Sequence, residues 1–138
     1  MSYGTTKVDT IQSSTASTPP TFKDGNGTQI GTLCRAWVNF GYVSSAITIR
    51  GSFNISSVTR TGTGAYTISF TNSMPDANYA TLVSAKGTDT GAVIGMASLA
   101  PYSPASTSPT STGSVTVNII GSTAATVDTQ FFTAAIFR

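Results

Sequence analysis

The sequence predicts an all-β fold, an antiparallel β-sandwich of the jelly-roll-like kind, and three observations support this prediction. Apolar and polar residues alternate in seven or eight short segments, which is the pattern of half-buried strands. Clusters of Gly, Pro, Asn and Asp separate these segments and supply turns. No segment repeats its apolar residues at the spacing of an amphipathic helix. Short strands separated by turns in this way are typical of sandwiches.

The first strand segment begins after residue 30, where the apolar period becomes two. Cys34, Ala36, Val38 and Phe40 share one face of this strand, and Trp37 lies on the other. The later segments, in order, are Ile47–Ile49, Phe53–Ile55, Tyr66–Phe70, Tyr79–Val83, Ala92–Met96, Val115–Ile119 and Phe131–Phe137. Thr and Ser fill many of the polar positions, and the β-branched Thr suits a half-exposed pleated surface.

The last strand segment predicts contacts on both of its faces. The stretch 100–111, which precedes the segment Val115–Ile119, contains prolines that lack the ladder donor and is predicted to be a loop. Apolar residues occupy both faces of the last strand, so it should be central in a sheet or covered by a neighbouring chain. This pattern favours self-association. The residues predicted to pack in the core or between copies are Trp37, Phe131, Phe132, Ile136 and Phe137.

Residues 1–30 are predicted to form an extended N-terminal arm, and residues 31–138 the β-sandwich domain. The stretch 13–21 is polar, contains two prolines and cannot build a core by itself. The stretch 23–27 combines Asp-Gly and Asn-Gly, which indicates a turn. We expect the arm to gain order by lying against a partner; the alternative is a disordered tail.

Composition predicts one domain with an uncharged, hydroxyl-rich surface and few classes of partner. The 138 residues include 19 Ser and 25 Thr, and only 9% are charged, against a typical share of about 25%. The net charge is +2 and the basic residues are dispersed, so no nucleic-acid partner is expected. No apolar stretch has the ~20 residues of a membrane span, and no signal peptide is evident. Cys34, the single cysteine, suits a reducing cytoplasm.

The sequence contains few residue types that catalysis requires, so no enzymatic activity is expected. His and Glu are absent, and Cys34 therefore lacks a His to activate it. Asp76 and Asp89 could in principle hydrolyse a glycosidic bond, but both occur in turn-like contexts where Asp is common. Gly62-Thr63-Gly64 is explained by a hairpin turn, since no phosphate-loop motif is present.

No cofactor or metal is expected either, because Cys/His clusters and grouped carboxylates are missing from the sequence. Aromatic side chains can stack on sugars, but most of those present are better explained by core or subunit packing. Tyr102, in the proline-flanked loop, is the candidate surface contact for a glycan.

Three stretches in order resemble a module of known proteins: residues 35–40, RAWVNF; residues 49–58, IRGSFNISSV; and residues 64–79, where GAYTISF precedes MPDANY. They are similar to tail-fibre and fibre-like structural proteins of tailed bacteriophages, especially marine and cyanobacterial ones. The opening GTTKVDTIQSS resembles the leader of short phage fibre proteins, and the closing FFTAAIFR resembles their terminal strand.

This resemblance implies a homotrimeric virion component whose arm docks on other virion proteins and whose β-domain faces outward. A short tail fibre or fibre-like spike, contacting a host surface glycan, is the function it favours. A capsid-attached head fibre or decoration protein and a carbohydrate-binding module are the alternatives. The family contributes no catalytic residue. The chain is short for a fibre and lacks a shaft, which leaves its position on the particle open.

Overall fold

The computed structural model describes residues 4, 7–14, 20–86, 96–99, 108–121 and 125–138. Every regular element in these ranges is a β-strand, which confirms the all-β prediction. The strands are β1 Phe22–Lys23, β2 Gln29–Gly31, β3 Cys34–Val43, β4 Ala46–Phe53, β5 Ile55–Gly62, β6 Ala65–Phe70, β7 Ala80–Ala85, β8 Met96–Leu99, β9 Ser114–Ile120 and β10 Phe132–Phe137. The chain divides into two compact units, Met1–Leu33 and Cys34–Arg138.

The first unit contains a small hairpin that the sequence did not predict. Strands β1 and β2 pair antiparallel on either side of the predicted turn. The Asp24 carboxylate accepts hydrogen bonds from the backbone N–H groups of Asn26 and Thr28, both at 2.9 Å. Gly27 has a φ of 83°, a conformation that glycine adopts at little cost. The turn signal at residues 23–27 is therefore confirmed.

The second unit is a sandwich of two four-stranded antiparallel sheets. The first sheet has the order β4-β3-β10-β7, and the second has the order β5-β6-β9-β8. Strand β10 pairs with β3 on one side and β7 on the other. The last strand is therefore central in its sheet, as its two apolar faces predicted. The antiparallel sandwich is confirmed.

The core lies between the inner faces of the two sheets, where alternate residues of each strand are buried. In β3, Ala36, Val38 and Phe40 are buried, as the period-two pattern predicted. Phe40 meets Tyr66 of the second sheet edge to face, with ring centroids 5.2 Å apart. The other large, fully buried side chains are Phe132, Ile68, Ile119, Ile136, Val115 and Val117. Burial of each such side chain contributes about 1.5–3 kcal/mol.

Asn54 is the corner at which the chain passes from the first sheet to the second. The sequence suggested one strand through Phe53 and Ile55, but this was wrong, because β4 ends at Phe53 and β5 begins at Ile55. Asn54 has a φ of 56°, which its short polar side chain tolerates. Its Nδ2 donates to the carbonyls of Arg35 and Asn72, and its Oδ1 accepts from the Asn72 N–H. These bonds compensate for the backbone conformation.

Candidate functional site

The outer face of the first sheet, which points away from the second sheet, carries a continuous row of apolar side chains. Trp37 of β3 is paired with Phe53 of β4 and with Ala135 of β10, and Ala135 is paired with Leu82 of β7. These four residues are called the apolar row. Phe53 is 56% exposed, Trp37 42% and Leu82 61%. The row therefore crosses all four strands of the sheet while its three largest members remain open to water.

A groove of about 490 Å³ follows the outer face along β3, β10 and β7. Trp37 and Leu82 stand on either side of it, and the small Ala135 lies between them. Because a short side chain separates two large ones on adjacent strands, the surface is concave at this point. Its volume falls within the range of about 300–1,000 Å³ that is usual for ligand pockets.

The other half of the groove is polar. Asn39, Thr133 and Ser84 are paired across β3, β10 and β7, two residues along each strand from the apolar row. They are called the polar row. Neighbouring strands lie about 4.8 Å apart, so an amide and two hydroxyls are spaced at that interval. The groove thus combines an apolar half with a half that can exchange hydrogen bonds.

A cation–aromatic cluster, formed by Arg50, Phe131 and Lys86, lies next to the polar row. The Arg50 Cζ is 4.1 Å from the centroid of the Phe131 ring, and the Lys86 Nζ is 5.7 Å from it. Arg50 also donates from Nη2 to the Gln130 carbonyl at 2.7 Å and from Nη1 to the Asn39 Oδ1 at 3.4 Å. The Phe131 side chain is 43% exposed. Cations held close to an aromatic face are stabilised by its quadrupole.

Two backbone features hold this cluster in place. The β3–β4 register skips Arg50, which forms a β-bulge in β4 and is redirected toward the loop before β10. Thr129 is buried, and its hydroxyl contacts the carbonyls of Lys86 and Phe131 and accepts from the Phe131 N–H. The Lys86 N–H donates to the Phe131 carbonyl at 2.9 Å. The backbone that carries two of the three cluster residues is therefore fixed before any ligand arrives.

Asp128 is the centre of a second polar network, between the hairpin of β5 and β6 and the loop that leads to β10. Its carboxylate accepts hydrogen bonds from Arg60 Nη2 at 2.8 Å, from Arg60 Nε at 3.0 Å and from the Tyr66 hydroxyl at 2.6 Å. The N–H of Gly64, in the predicted hairpin turn, donates to it at 2.9 Å. Arg60 also lies 4.7 Å from the Tyr42 ring centroid. This network joins segments that are far apart in sequence.

Burial and hydrogen bonding act in opposite directions on the Asp128 carboxyl. Burial favours its neutral form, but the bonds from Arg60, Tyr66 and Gly64 outweigh this and lower its pKa to about 2. Burial, together with donation to Asp128, raises the pKa of the Tyr66 hydroxyl. Asp128 is therefore ionised and Tyr66 neutral at physiological pH. Both groups are held in the protonation state that supports the hydrogen bond between them.

Asp76 occupies a turn, as the sequence predicted. Its Oδ1 accepts from the Asn78 N–H at 2.8 Å, and its carboxylate forms a two-bond ion pair with Arg138. The hydrogen bonds from Arg138, followed by that from Asn78, lower the pKa of Asp76. Asp89, the other residue considered for glycoside hydrolysis, lies outside the described residues.

The residues predicted to pack in the core or between copies fall into two groups. Phe132 and Ile136 are fully buried in the core, whereas Trp37 and Phe131 are exposed on the outer face and Phe137 is half-buried. Tyr102, the predicted glycan contact, lies outside the described residues. Among the residues that the structure describes, no three His, Cys, Asp or Glu side chains are grouped as metal ligands. No helix in the same ranges is long and apolar enough to cross a membrane.

Comparisons with known proteins give little to add to this geometry. No protein-family model matches the chain, and no curated protein sequence matches it. One solved structure is similar over 95% of the chain, at 20% sequence identity and a TM-score of 0.41. It is the tailspike of phiAB6 in complex with three-repeated oligosaccharides of Acinetobacter baumannii surface polysaccharide. The matched region covers 30% of that tailspike chain, and a likeness of this degree carries no argument about function.

Sequence reasoning missed Arg50, Leu82 and Asp128 as members of these surfaces and networks. Leu82 follows the strand pattern, but a pattern does not say which face meets the second sheet. Arg50 is redirected by a bulge that arises from pairing between strands. Asp128 lies 62 residues from Tyr66 and 68 from Arg60, so no local signal connects them.

Proposed function

We propose that the chain is a non-enzymatic structural protein of a bacteriophage virion, a short homotrimeric tail fibre or fibre-like spike. Its β-domain faces outward and contacts the host surface, and its N-terminal arm docks on other virion proteins. The observation that carries the proposal is the apolar row on the outer face of the first sheet. A part built to associate with its own copies needs such a face, and a solitary protein normally avoids one.

The apolar row is suited to contact with identical chains. It places three large side chains and the small Ala135 in adjacent positions on four strands, so one partner surface can cover all of them together. Covering apolar area contributes roughly 25 cal/mol per Å², which gives several kcal/mol for side chains as large as Trp37, Phe53 and Leu82. The low charge of the chain leaves little repulsion to oppose association.

Two sequence features and one structural feature support placement in a virion. The stretches at residues 35–40, 49–58 and 64–79 resemble phage fibre proteins of marine and cyanobacterial type, and that type remains a prediction. The hydroxyl-rich composition suits a surface that is hydrated without charge. The first unit, Met1–Leu33, is a separate compact unit with exposed apolar side chains, which suits an attachment arm. A head fibre or decoration protein would use the same features at another position on the particle.

A carbohydrate-binding module is the second candidate function, and the groove favours it. Trp37 offers an aromatic surface, and the polar row offers an amide and two hydroxyls beside it. This combination of apolar and hydrogen-bonding groups is what recognition of a sugar requires. The two functions compete for Trp37, since a neighbouring copy that covers the apolar row also covers the aromatic surface offered to a sugar.

Replacing Leu82 with lysine is expected to separate the trimer into single chains. The substitution places a charge in the most exposed position of the apolar row, where contact with another copy would bury it unpaired. Light-scattering mass at micromolar concentration should fall from about three times 14.1 kDa to that of one chain. Thr59→Lys is the matched control, because Thr59 is exposed on β5 of the second sheet. A monomeric wild-type chain under these conditions would overturn the proposed assembly.

Deleting residues 1–33 is expected to leave the sandwich folded and trimeric but unable to join virions. Every buried core residue in the described ranges lies in the second unit, so circular dichroism and light-scattering mass should show no loss of the fold or the trimer. The amount of truncated chain that sediments with purified particles should drop to background. Unfolding of the truncated chain would show that the arm belongs to the core, and normal incorporation would assign docking to the sandwich.

A further inference from the structure

We propose that the cation–aromatic cluster and the adjoining polar row bind an acidic saccharide, a sugar that carries a carboxylate. The inference rests on the proposed function, because it names the chemical class of glycan that the outward β-domain contacts. Arg50 provides the positive charge, Phe131 provides an apolar surface, and the polar row provides hydrogen bonds.

Arg50 is placed to bind a carboxylate. A guanidinium has five N–H donors, and two of them are used here, toward the Gln130 carbonyl and the Asn39 side chain. The remaining donors form part of the planar fork that pairs with a carboxylate through two bonds. Stacking 4.1 Å from the Phe131 ring centroid and bonding to the backbone fix the plane of the guanidinium. Binding therefore costs less entropy than it would for a mobile side chain.

The positive charge of Arg50 favours an anionic ligand. Both Asp side chains that the structure describes in the second unit are already paired, Asp76 with Arg138 and Asp128 with Arg60. Neither of these pairs involves Arg50. An acidic ligand would therefore meet a cation that those carboxylates do not neutralise, and the attraction would be strongest at low ionic strength.

The polar row distinguishes a sugar from a simple anion. Asn39, Thr133 and Ser84 follow one another across three strands, and Asn39 is in contact with Arg50. A sugar has several hydroxyls close to its carboxylate, so one ligand can reach the cluster and the row together. The exposed part of the Phe131 ring offers an apolar surface to the C–H groups of the sugar. The carboxylate of a protein side chain would contact only the Arg50 guanidinium, without the polar row.

Binding of polygalacturonate, measured by calorimetry on the full-length chain, tests the proposal. Neutral dextran is the uncharged comparison, and dextran sulfate tests for attraction by charge alone. We expect polygalacturonate to bind and dextran not to bind. Arg50→Gln and Phe131→Ala should each weaken binding at least tenfold, while Lys7→Gln, which removes the same charge from the first unit, should change it less than twofold. Arg50→Lys keeps the positive charge but lacks the planar fork of N–H donors, so it should weaken binding several-fold.

Two results would overturn the proposal. One is the absence of polygalacturonate binding by wild-type protein at low salt. The other is equal binding of dextran sulfate and polygalacturonate with no effect of Phe131→Ala, which would mean attraction by charge alone. Circular dichroism shows whether each variant is folded, and light-scattering mass shows whether it is a trimer. These two measurements separate failure of saccharide binding from failure of the proposed function. A trimer that binds no saccharide refutes this inference alone, whereas a monomeric wild-type chain refutes the proposed assembly.

Discussion

Replacing Gly41 with alanine should lower the free energy of unfolding by about 3 kcal/mol or more. Gly41 lies toward the C-terminal end of β3, where the backbone of Gln130 crosses it. A Cβ at position 41 would overlap the Gln130 carbonyl oxygen and carbon. These are backbone atoms, and the adjacent bond from the Tyr42 N–H to the Thr129 carbonyl, 2.8 Å long, holds them against β3. The clash therefore cannot be relieved by rotating a side chain.

Urea unfolding followed by circular dichroism measures this effect, at one protein concentration because association adds to apparent stability. Gly113→Ala is the matched control, since no atom lies within 4 Å of where its Cβ would be and its φ is not positive. We expect that variant to unfold within about 0.5 kcal/mol of wild type. Equal free energies of unfolding for the two alanine variants would contradict a close contact between β3 and the loop before β10.

Replacing Asp128 with asparagine should lower the free energy of unfolding by about 2 kcal/mol. The amide has nearly the shape of the carboxylate, but its NH₂ group would face the N–H donors of Arg60. The charge that supports the bonds from Arg60 and Tyr66 is lost as well. The expected loss is below the 3–5 kcal/mol of a fully buried ion pair, because both partners retain some exposure to water.

The same network predicts how stability changes with acid. The pKa of Asp128 is lowered to about 2 in the folded chain, against about 3.9 for an unfolded Asp. A lowered folded pKa stabilises the protein at pH values above the unfolded pKa, and the contribution is lost as pH falls from about 4 to about 2. The wild-type chain should therefore lose more stability in this window than the Asp128→Asn variant does.

Asp76→Asn separates this prediction from a general effect of removing a carboxylate. Asp76 is paired with Arg138 at an exposed position, where salt and water screen the attraction. We expect a smaller loss of stability at neutral pH than for Asp128→Asn. Equal losses for the two variants would show that the network around Asp128 contributes no more than a surface ion pair.

The sequence by itself determined the strands and much of the core. Alternation is local, so it was sufficient to predict that Ala36, Val38 and Phe40 share one face, which is buried in the structure. The same reasoning predicted that Phe132 and Ile136 pack in the core or between copies, and that the last strand is central in a sheet or covered by a neighbouring chain. In the structure both residues lie in the core and the strand is central. Turn chemistry determined the turns, because the conformations that Asp-Gly and Asn-Gly favour depend on one or two residues alone.

Only the tertiary structure decided what the outer face presents. Trp37, Leu82 and Phe53 form one row because four strands pair in one register, and that register depends on residues up to about a hundred positions apart. Likewise, the side chain of Arg50 reaches Phe131 only because a bulge and a crossing loop bring them together. Local patterns show which side chains share a face. The pairing of distant strands decides which faces meet and which remain open to a partner, because burial depends on both surfaces.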